Sequence, residues 1–134
     1  MHAEVEGYRA IIHGMKQSIV NRLLVVGGTG SLETTPGNQL LDSSDFPEEY
    51  KAEALAMREV LKLLKQEEEL NWTFLCPSMN IEPGERTGKF RLGGDELIVD
   101  AKGESRISCE DYAMAMIDEL ETPKHVRLRF TVGY

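Results

Sequence analysis

An unbroken apolar run that ends in glycines places the strongest constraint on the fold. Residues 22–26 read RLLVV, and residues 27–30, which follow directly, read GGTG. Consecutive apolar residues, without the alternation of a half-exposed strand, are typical of a strand covered on both faces in a parallel sheet. The run therefore predicts a buried parallel strand followed by a tight turn. Together with the order of helices and strands predicted below, this strand indicates an α/β fold.

Helical spacing of apolar residues predicts three helices. In the first, steps of three and four residues put Val5, Tyr8, Ile12, Met15 and Ile19 on one face. This first helix is predicted to span about residues 3–19. The second is capped by Asp45 and ends near Gln66. The third begins at Ser108, and its predicted buried face contains Tyr112, Ala113, Met116, Ile117 and Leu120.

The remaining segments predict strands and loops. Residues 72–76, rich in β-formers and stopped by Pro77, predict a second buried strand. Residues 31–45 contain turn-forming residues and predict a long surface loop, and residues 90–99 predict a hairpin. Residues 126–132 alternate apolar and polar side chains, which predicts a half-exposed last strand. We expect residues 1–134 to form one α/β domain with a partly parallel sheet.

Charge and composition exclude several classes of partner. The 134 residues carry a formal net charge of −8, which disfavours binding to nucleic acid or to an anionic membrane surface. No apolar run approaches the roughly 20 residues of a spanning helix, and the first residues lack the pattern of a secretory signal. A cytoplasmic location is therefore expected. The two cysteines have no spacing typical of a zinc site.

The glycine turn at residues 27–30 has three interpretations. A strand followed by glycines can approach a pyrophosphate, provided that a helix begins at once and directs its amino terminus at the phosphates. Here residues 31–45 contain Pro36-Gly37 and show no helical period, which disfavours that interpretation. The turn is then either a plain tight turn or one wall of a ligand crevice at the carboxyl end of a parallel strand.

Six short motifs span nearly the whole chain in a fixed order. They are residues 22–32 (RLLVVGGTGSL), Phe46-Pro47 with Tyr50-Lys51, residues 72–75 (WTFL) with Pro77, residues 83–88 (PGERTG), residues 107–113 (ISCEDYA) and residues 129–134 (RFTVGY). In this order the chain resembles the carboxyl-terminal part of the NADH-flavin reductases. These are atypical short-chain dehydrogenases with a Rossmann fold, related to NmrA-like and epimerase-like proteins.

The resemblance implies a partial Rossmann-like, NAD(P)-binding fold. The chain would be the carboxyl-terminal half, with a mainly parallel sheet and a small hairpin, and would lack the first βαβ units and their phosphate-binding loop. The implied function of the complete form is an oxidoreductase that transfers a hydride from NAD(P)H to a flavin such as FMN or FAD, or to a similar acceptor. Cofactor binding by this chain alone would be weak or absent. The alternative is a non-catalytic truncated module that acts as a nucleotide sensor or an oligomeric interaction protein.

The resemblance also assigns candidate site residues. Lys51 is similar to a lysine that touches the nicotinamide ribose in related dehydrogenases, although a lysine at the start of an acidic helix is otherwise a solvated charge. Arg86 could pair with a phosphate or carboxylate of the substrate, or form a structural salt bridge. The expected cofactor-binding residues are Gly27, Gly28 and Ser31 after the first strand and Pro77, Ser78 and Met79 after the second.

One expected catalytic group is absent from the sequence. In the Tyr-x-x-x-Lys pattern of related dehydrogenases the tyrosine stands four residues before the lysine, and here that position is Pro47. Carbonyl reduction needs an acid to protonate the alkoxide, whereas a reduced flavin is a delocalised anion that water can protonate. Alignment of two rings is then the main requirement, which favours flavin or quinone reduction. The three histidines stand at no spacing that indicates catalysis.

A half-sheet has consequences for assembly. It would expose one strand edge and an apolar face, and such surfaces normally find a partner. We therefore expect a homo-oligomer or a complementary chain, or else a monomer of low stability, with a small nucleotide or flavin as ligand.

Overall fold

The computed structural model describes residues 2–134. Three helices and eight short strands alternate along these residues, with two turns of 3-10 helix at Leu40–Asp42 and Glu48–Tyr50. The elements are α1 (His2–Lys16), β1 (Arg22–Val26), β2 (Glu33–Thr35), β3 (Asn38–Gln39), α2 (Lys51–Lys65), β4 (Asn71–Cys76), β5 (Asn80–Glu82), β6 (Arg91–Gly93), β7 (Arg106–Ser108), α3 (Cys109–Glu121) and β8 (Leu128–Gly133).

The central sheet has four strands in the order β1-β4-β8-β6. β4 is parallel to β1 and to β8, and only β6 runs antiparallel, against β8. In β4, Phe74 packs with residues of α1 and α2 on one face, whereas Leu75 packs with α3 on the other. Helices thus cover both faces, and the expectation of an α/β fold with a mainly parallel sheet is confirmed. The expected absence of the first βαβ units stays a prediction.

The expected hairpin at residues 90–99 is wrong. Only Arg91–Gly93 form a strand there, and they pair with β8 instead of with residues 97–99. A hairpin forms earlier, where β2 pairs with β3 inside the predicted surface loop. Its turn uses Gly37 at φ +82°, a conformation that favours glycine, and the Gly37 N–H donates to a Glu33 carboxylate oxygen at 2.7 Å. A short parallel pair, β5 with β7, was also not predicted.

Two predicted helix ends are wrong. α1 ends at Lys16, where the Ser18 hydroxyl donates to the Met15 carbonyl oxygen at 2.9 Å, and Ile19 is fully exposed. α2 begins at Lys51 after a 3-10 turn, so Asp45, which lies exposed before that turn, does not cap it. Local capping and turn contacts decide such ends, and apolar spacing does not report them.

Burial on α3 and β8 differs from the sequence pattern. Ser108 caps α3 as expected, since its hydroxyl accepts from the Asp111 N–H at 3.0 Å. Tyr112 is buried and Met116 half-buried, but Ala113, Ile117 and Leu120 are exposed, and Asp111 and Glu119 are buried instead. β8 is not half-exposed either, because as an inner strand it is covered on both faces, and its Arg129 and Thr131 are buried.

None of the described helices combines the length and apolar character that a membrane crossing requires.

Candidate active site at the carboxyl ends of the parallel strands

The glycine turn and the segment after β4 lie side by side. β1 and β4 are parallel neighbours, so their carboxyl ends meet at one edge of the sheet. The Gly27 N–H donates to the Leu75 carbonyl oxygen at 2.8 Å. The Thr29 hydroxyl, at 3.2 Å from the Pro77 carbonyl oxygen, holds the turn against this segment. We call the place where residues 27–31 meet residues 77–79 the crevice.

Close packing explains two glycines of the turn. A Cβ at Gly27 would lie 2.2 Å from a ring carbon of Phe74, and a Cβ at Gly30 would lie 3.0 Å from Ala54 Cβ. Close packing therefore requires glycine at these two positions, which agrees with the interpretation as a plain tight turn. Gly28 is different, since a Cβ there would meet Met57 Cβ at an ordinary 3.4 Å. Packing alone does not require glycine at position 28.

The turn does not present a helix terminus to a ligand. The next regular element after Gly30 is β2, and the 3-10 turn at Leu40–Asp42 is a single turn. The pyrophosphate interpretation of this turn therefore has no helix dipole to rely on. Within residues 2–134, the N–H groups of Gly28 and Thr29 donate to no protein acceptor. These two backbone donors are the groups of the turn that remain for an acceptor atom of a ligand.

The two serines of the crevice are structural in this arrangement. Both are buried. The Ser31 hydroxyl accepts from Arg129 Nη1 at 2.9 Å, and the Ser78 hydroxyl donates to the Val132 carbonyl oxygen at 2.8 Å. The Met79 side chain is 48% exposed, so it is the part of residues 77–79 that a ligand can touch.

Arg129 is a buried residue beside the crevice that sequence reasoning missed. Its Nε donates to an Asp95 carboxylate oxygen at 3.0 Å, in addition to the bond with Ser31. Arg129 alternates with apolar residues along the sequence, which indicates an exposed side chain. No local signal could have shown that a neighbouring strand covers it.

The Arg129 guanidinium lies near the Cys76 thiol, yet burial of the thiol dominates and raises its pKa to about 11. Cys76 is therefore protonated at neutral pH and is not a nucleophile.

Lys51 lies near the crevice and Arg86 does not. Lys51 opens α2 three residues before Ala54, which packs against Gly30, and its ammonium pairs with Glu48 at 2.9 Å. Arg86 lines a separate cavity of 470 Å³ against α3. The structure thus brings together Gly27, Gly28, Ser31, Pro77, Ser78 and Met79, with Lys51 at the neighbouring helix start and Arg86 apart from them.

Two tyrosines have hydroxyls that are already engaged. The Tyr112 hydroxyl donates to the Leu75 carbonyl oxygen at 2.7 Å, and burial raises its pKa above the ordinary value. Tyr134 bonds through its hydroxyl to Asp111 and Ser108. Neither of these phenols is a free proton donor for a ligand in the crevice, whereas Tyr50, directly before Lys51, is exposed. The described residues also contain no cluster of His, Cys, Asp or Glu that could hold a metal ion.

Comparison with protein families gives one match that spans most of the chain. A family model described as NAD(P)H-binding matches residues 2–123. YwnB of Bacillus subtilis (strain 168) is 47% identical over 134 residues, which are 98% of this chain and 63% of that protein. The chain thus spans less than two thirds of the length of this curated relative.

Solved structures agree with the fold. A "putative epimerase" from Bacteroides thetaiotaomicron is 50% identical with a TM-score of 0.93, over 97% of this chain and 61% of that one. A "putative NADH-flavin reductase" from Streptococcus pneumoniae TIGR4 is 37% identical with a TM-score of 0.86, over 99% and 66%. A "putative exported protein" from Burkholderia pseudomallei is 46% identical with a TM-score of 0.93, over 98% and 64%. The cytoplasmic location stays a prediction.

Proposed function

The chain belongs to the NAD(P)H-binding family, and from that membership we propose that it is the nicotinamide-side part of an NAD(P)H-dependent oxidoreductase. In its complete form this enzyme transfers a hydride from NAD(P)H to a flavin or a similar acceptor. The similarity to the streptococcal protein described as a "putative NADH-flavin reductase" supports this assignment.

The observation that carries the proposal is the crevice itself. Parallel strands bring the glycine turn and residues 77–79 to the carboxyl edge of the sheet, where ligands of open α/β sheets bind. The unbonded N–H groups of Gly28 and Thr29 suit a carboxamide oxygen, and the Met79 side chain offers an apolar contact to a flat ring. We assign Lys51, at the start of α2, to a ribose hydroxyl of the cofactor, which its ammonium would bind in place of Glu48.

The choice of acceptor follows from the proton donors. When bound, reduced nicotinamide supplies the hydride. The crevice serines are buried and hydrogen-bonded to Arg129 and Val132 respectively, and Tyr112 bonds to a backbone oxygen. An acceptor whose reduced form is protonated by water therefore fits better than a ketone that needs a positioned acid. A flavin is such an acceptor. The crevice walls would contribute by aligning the flavin ring over the nicotinamide.

One structural feature favours the alternative of a non-catalytic module. The glycine turn runs into β2 and directs no helix terminus at a pyrophosphate. A glycine turn without such a helix terminus would bind nucleotide weakly, and the protein would then act as a sensor or an interaction module. Binding and turnover therefore have to be measured separately.

The experiment is a calorimetric titration of the purified chain with NADPH, followed by steady-state FMN reduction. Lys51→Ala is compared with Lys62→Ala, because both lysines lie on α2 and each pairs with a glutamate three residues earlier. We expect saturable binding that Lys51→Ala weakens about tenfold, which is about 1.4 kcal/mol, and that Lys62→Ala leaves unchanged.

Three results would decide between the interpretations. Equal affinities of the two variants would return Lys51 to the role of a surface charge. Binding without FMN reduction would favour the sensor. Absence of binding at millimolar NADPH would contradict nucleotide binding by this chain.

A further inference from the structure

A second cavity lies at the opposite edge of the sheet from the crevice. It has a volume of 570 Å³ and is lined by the start of β4 and β8 and by residues 92–95, which are the end of β6 and the two residues after it. Trp72 on its wall is the second residue of β4, and Pro77 in the crevice lies five positions further along the chain. At the rise of an extended strand this is about 16 Å, so a ligand at Trp72 would not touch residues 77–79. The two places are linked by Arg129, which lines the cavity and whose guanidinium also bonds to Ser31 in the crevice.

The cavity wall contains a buried donor without a partner. Trp72 is only 2% exposed, and its indole N–H has no hydrogen-bond partner among the described residues. A buried N–H that is left unpaired costs roughly 1–3 kcal/mol, so such groups are almost always paired with protein, water or ligand. Of the three buried side-chain N–H groups without a partner in residues 2–134, this is the one that belongs to a residue lining the cavity. The indole nitrogen is closed off from solvent, so a ligand reaches it only if the wall opens slightly.

Cationic groups surround the same cavity. Lys65 at the end of α2 lines it and takes part in no ion pair among residues 2–134. Arg127 lines it too, held by bonds from Nε to the Leu70 carbonyl oxygen and from Nη2 to the Asn71 side chain, both at 3.2 Å. The Arg127 backbone lies in the left-handed region at φ 57°, an unfavourable conformation for a residue other than glycine that surrounding contacts must maintain.

Of the three acidic groups nearby, Asp95 and Glu67 are paired, whereas Glu68 is in no ion pair among residues 2–134. Asp95, the carboxylate that lines the cavity, is paired with Arg129 at 3.0 Å. Glu67 and Glu68 line a smaller adjoining cavity of 210 Å³, and Glu67 is bonded to Lys16 at 3.1 Å. The wall therefore presents hydrogen-bond donors and positive charge, together with the apolar surfaces of Leu92 and Leu128.

We propose that the cavity formed by Trp72, Lys65 and Arg127 binds a small organic anion, a carboxylate or phosphate with an apolar body, with the anion at Lys65 and Arg127 and an acceptor atom on the Trp72 N–H. The proposal does not rest on the proposed oxidoreductase function, although Arg129 joins this cavity to Ser31 of the crevice. An anion with an apolar part matches all three kinds of group on the wall: the cations, the indole donor and the two leucines.

The single tryptophan makes the test direct. The chain has one Trp, so a ¹⁵N-labelled sample gives one indole N–H resonance in a ¹H–¹⁵N correlation spectrum. Titrations use inorganic phosphate, benzoate and the neutral benzyl alcohol at constant ionic strength. We expect a saturable shift with benzoate and little shift with benzyl alcohol. A response to phosphate alone would assign the site to phosphates, and a response to both would assign it to anions in general.

Matched variants separate the cavity from a general charge effect. Lys65→Met removes a cation on the wall, and Lys62→Met removes one from the same helix outside it. We expect Lys65→Met to weaken the anion's apparent affinity about fivefold or more and Lys62→Met to leave it unchanged. Trp72→Phe keeps an aromatic ring but removes the donor, and it should weaken benzoate binding measured by saturation-transfer NMR. An indole resonance that does not move with tens of millimolar anion, or equal effects of both lysine variants, would overturn the proposal.

Discussion

At the scale of single residues, close packing gives the glycine turn its sequence. Gly27 lies against the ring of the fully buried Phe74, so an added methyl group meets ring carbons on a side chain that cannot move away. Arg129 acts at the same scale, since one guanidinium ties β8 both to Ser31 and to Asp95. The two walls of the crevice are thus held by contacts between residues distant in sequence.

Gly27→Ala should destabilise the fold and Gly7→Ala should stabilise it. The first substitution places a methyl group 2.2 Å from Phe74, and overpacking of this kind costs about 1–3 kcal/mol. Gly7 lies inside α1 with open space around it, so alanine should add about 0.5–1 kcal/mol. Urea unfolding of both variants measures the two effects. A Gly27→Ala protein as stable as the parent would show that the turn is looser than the structure indicates.

The two cysteines should differ in reactivity. Burial raises the pKa of the Cys76 thiol to about 11, whereas Cys109 is exposed at the start of α3. At mildly alkaline pH, a disulfide reagent should modify one thiol per folded chain and two in urea. Cys109→Ser should remove the fast reaction. Rapid modification of Cys76 in the folded state would contradict its burial.

The raised pKa of Cys76 also affects stability in alkali. The unfolded thiol loses its proton near its ordinary pKa of 9.0, while the folded one keeps it to about 11. Ionisation therefore favours the unfolded chain as pH rises across that interval.

At the scale of elements, one carboxylate fastens a loop to α3. Asp111, which is fully buried, accepts from the Thr87 and Gly88 N–H groups at 3.0 Å each and from the hydroxyls of Thr87 and Tyr134. Burial acts to raise its pKa, but these hydrogen bonds prevail and hold the pKa below the ordinary value of 3.8.

Asp111→Asn should lower stability near neutral pH by about 1.5–3 kcal/mol, because hydrogen bonds to a charged group are lost. In the parent, the contribution of Asp111 is complete above its unfolded pKa of 3.8 and is lost as pH falls toward the lower folded value. Urea midpoints between about pH 6 and pH 3 should therefore fall less steeply in the variant. Asp118→Asn, exposed on the same helix, serves as control and should keep the parent's slope.

At the scale of the whole molecule, β1 is an edge strand of the described sheet. It pairs only with β4, and Val26 on it is 61% exposed. Unpaired strand edges invite pairing with another chain. We propose that the chain associates, with itself or with a complementary chain, through this edge.

Light scattering after size-exclusion chromatography should give a mass of at least two chains. Leu24→Lys places a charge on β1 and should return the protein to one chain, since edge charges oppose strand pairing. Leu120→Lys changes a leucine that is 49% exposed on α3 and should leave the mass unchanged. A stable single chain before any substitution would contradict association through β1.

The sequence by itself determined the buried strands, the helices and the meeting of the glycine turn with the segment after β4. Apolar runs at residues 22–26 and 72–76 and helical spacing depend on local chemistry, and parallel strands necessarily bring their carboxyl ends together. Only the tertiary structure decided that Arg129 is buried, that β6 pairs with β8, and that Arg86 lies apart from the crevice. These facts depend on which strand lies beside which, and the local pattern of a segment carries no information about its distant neighbours.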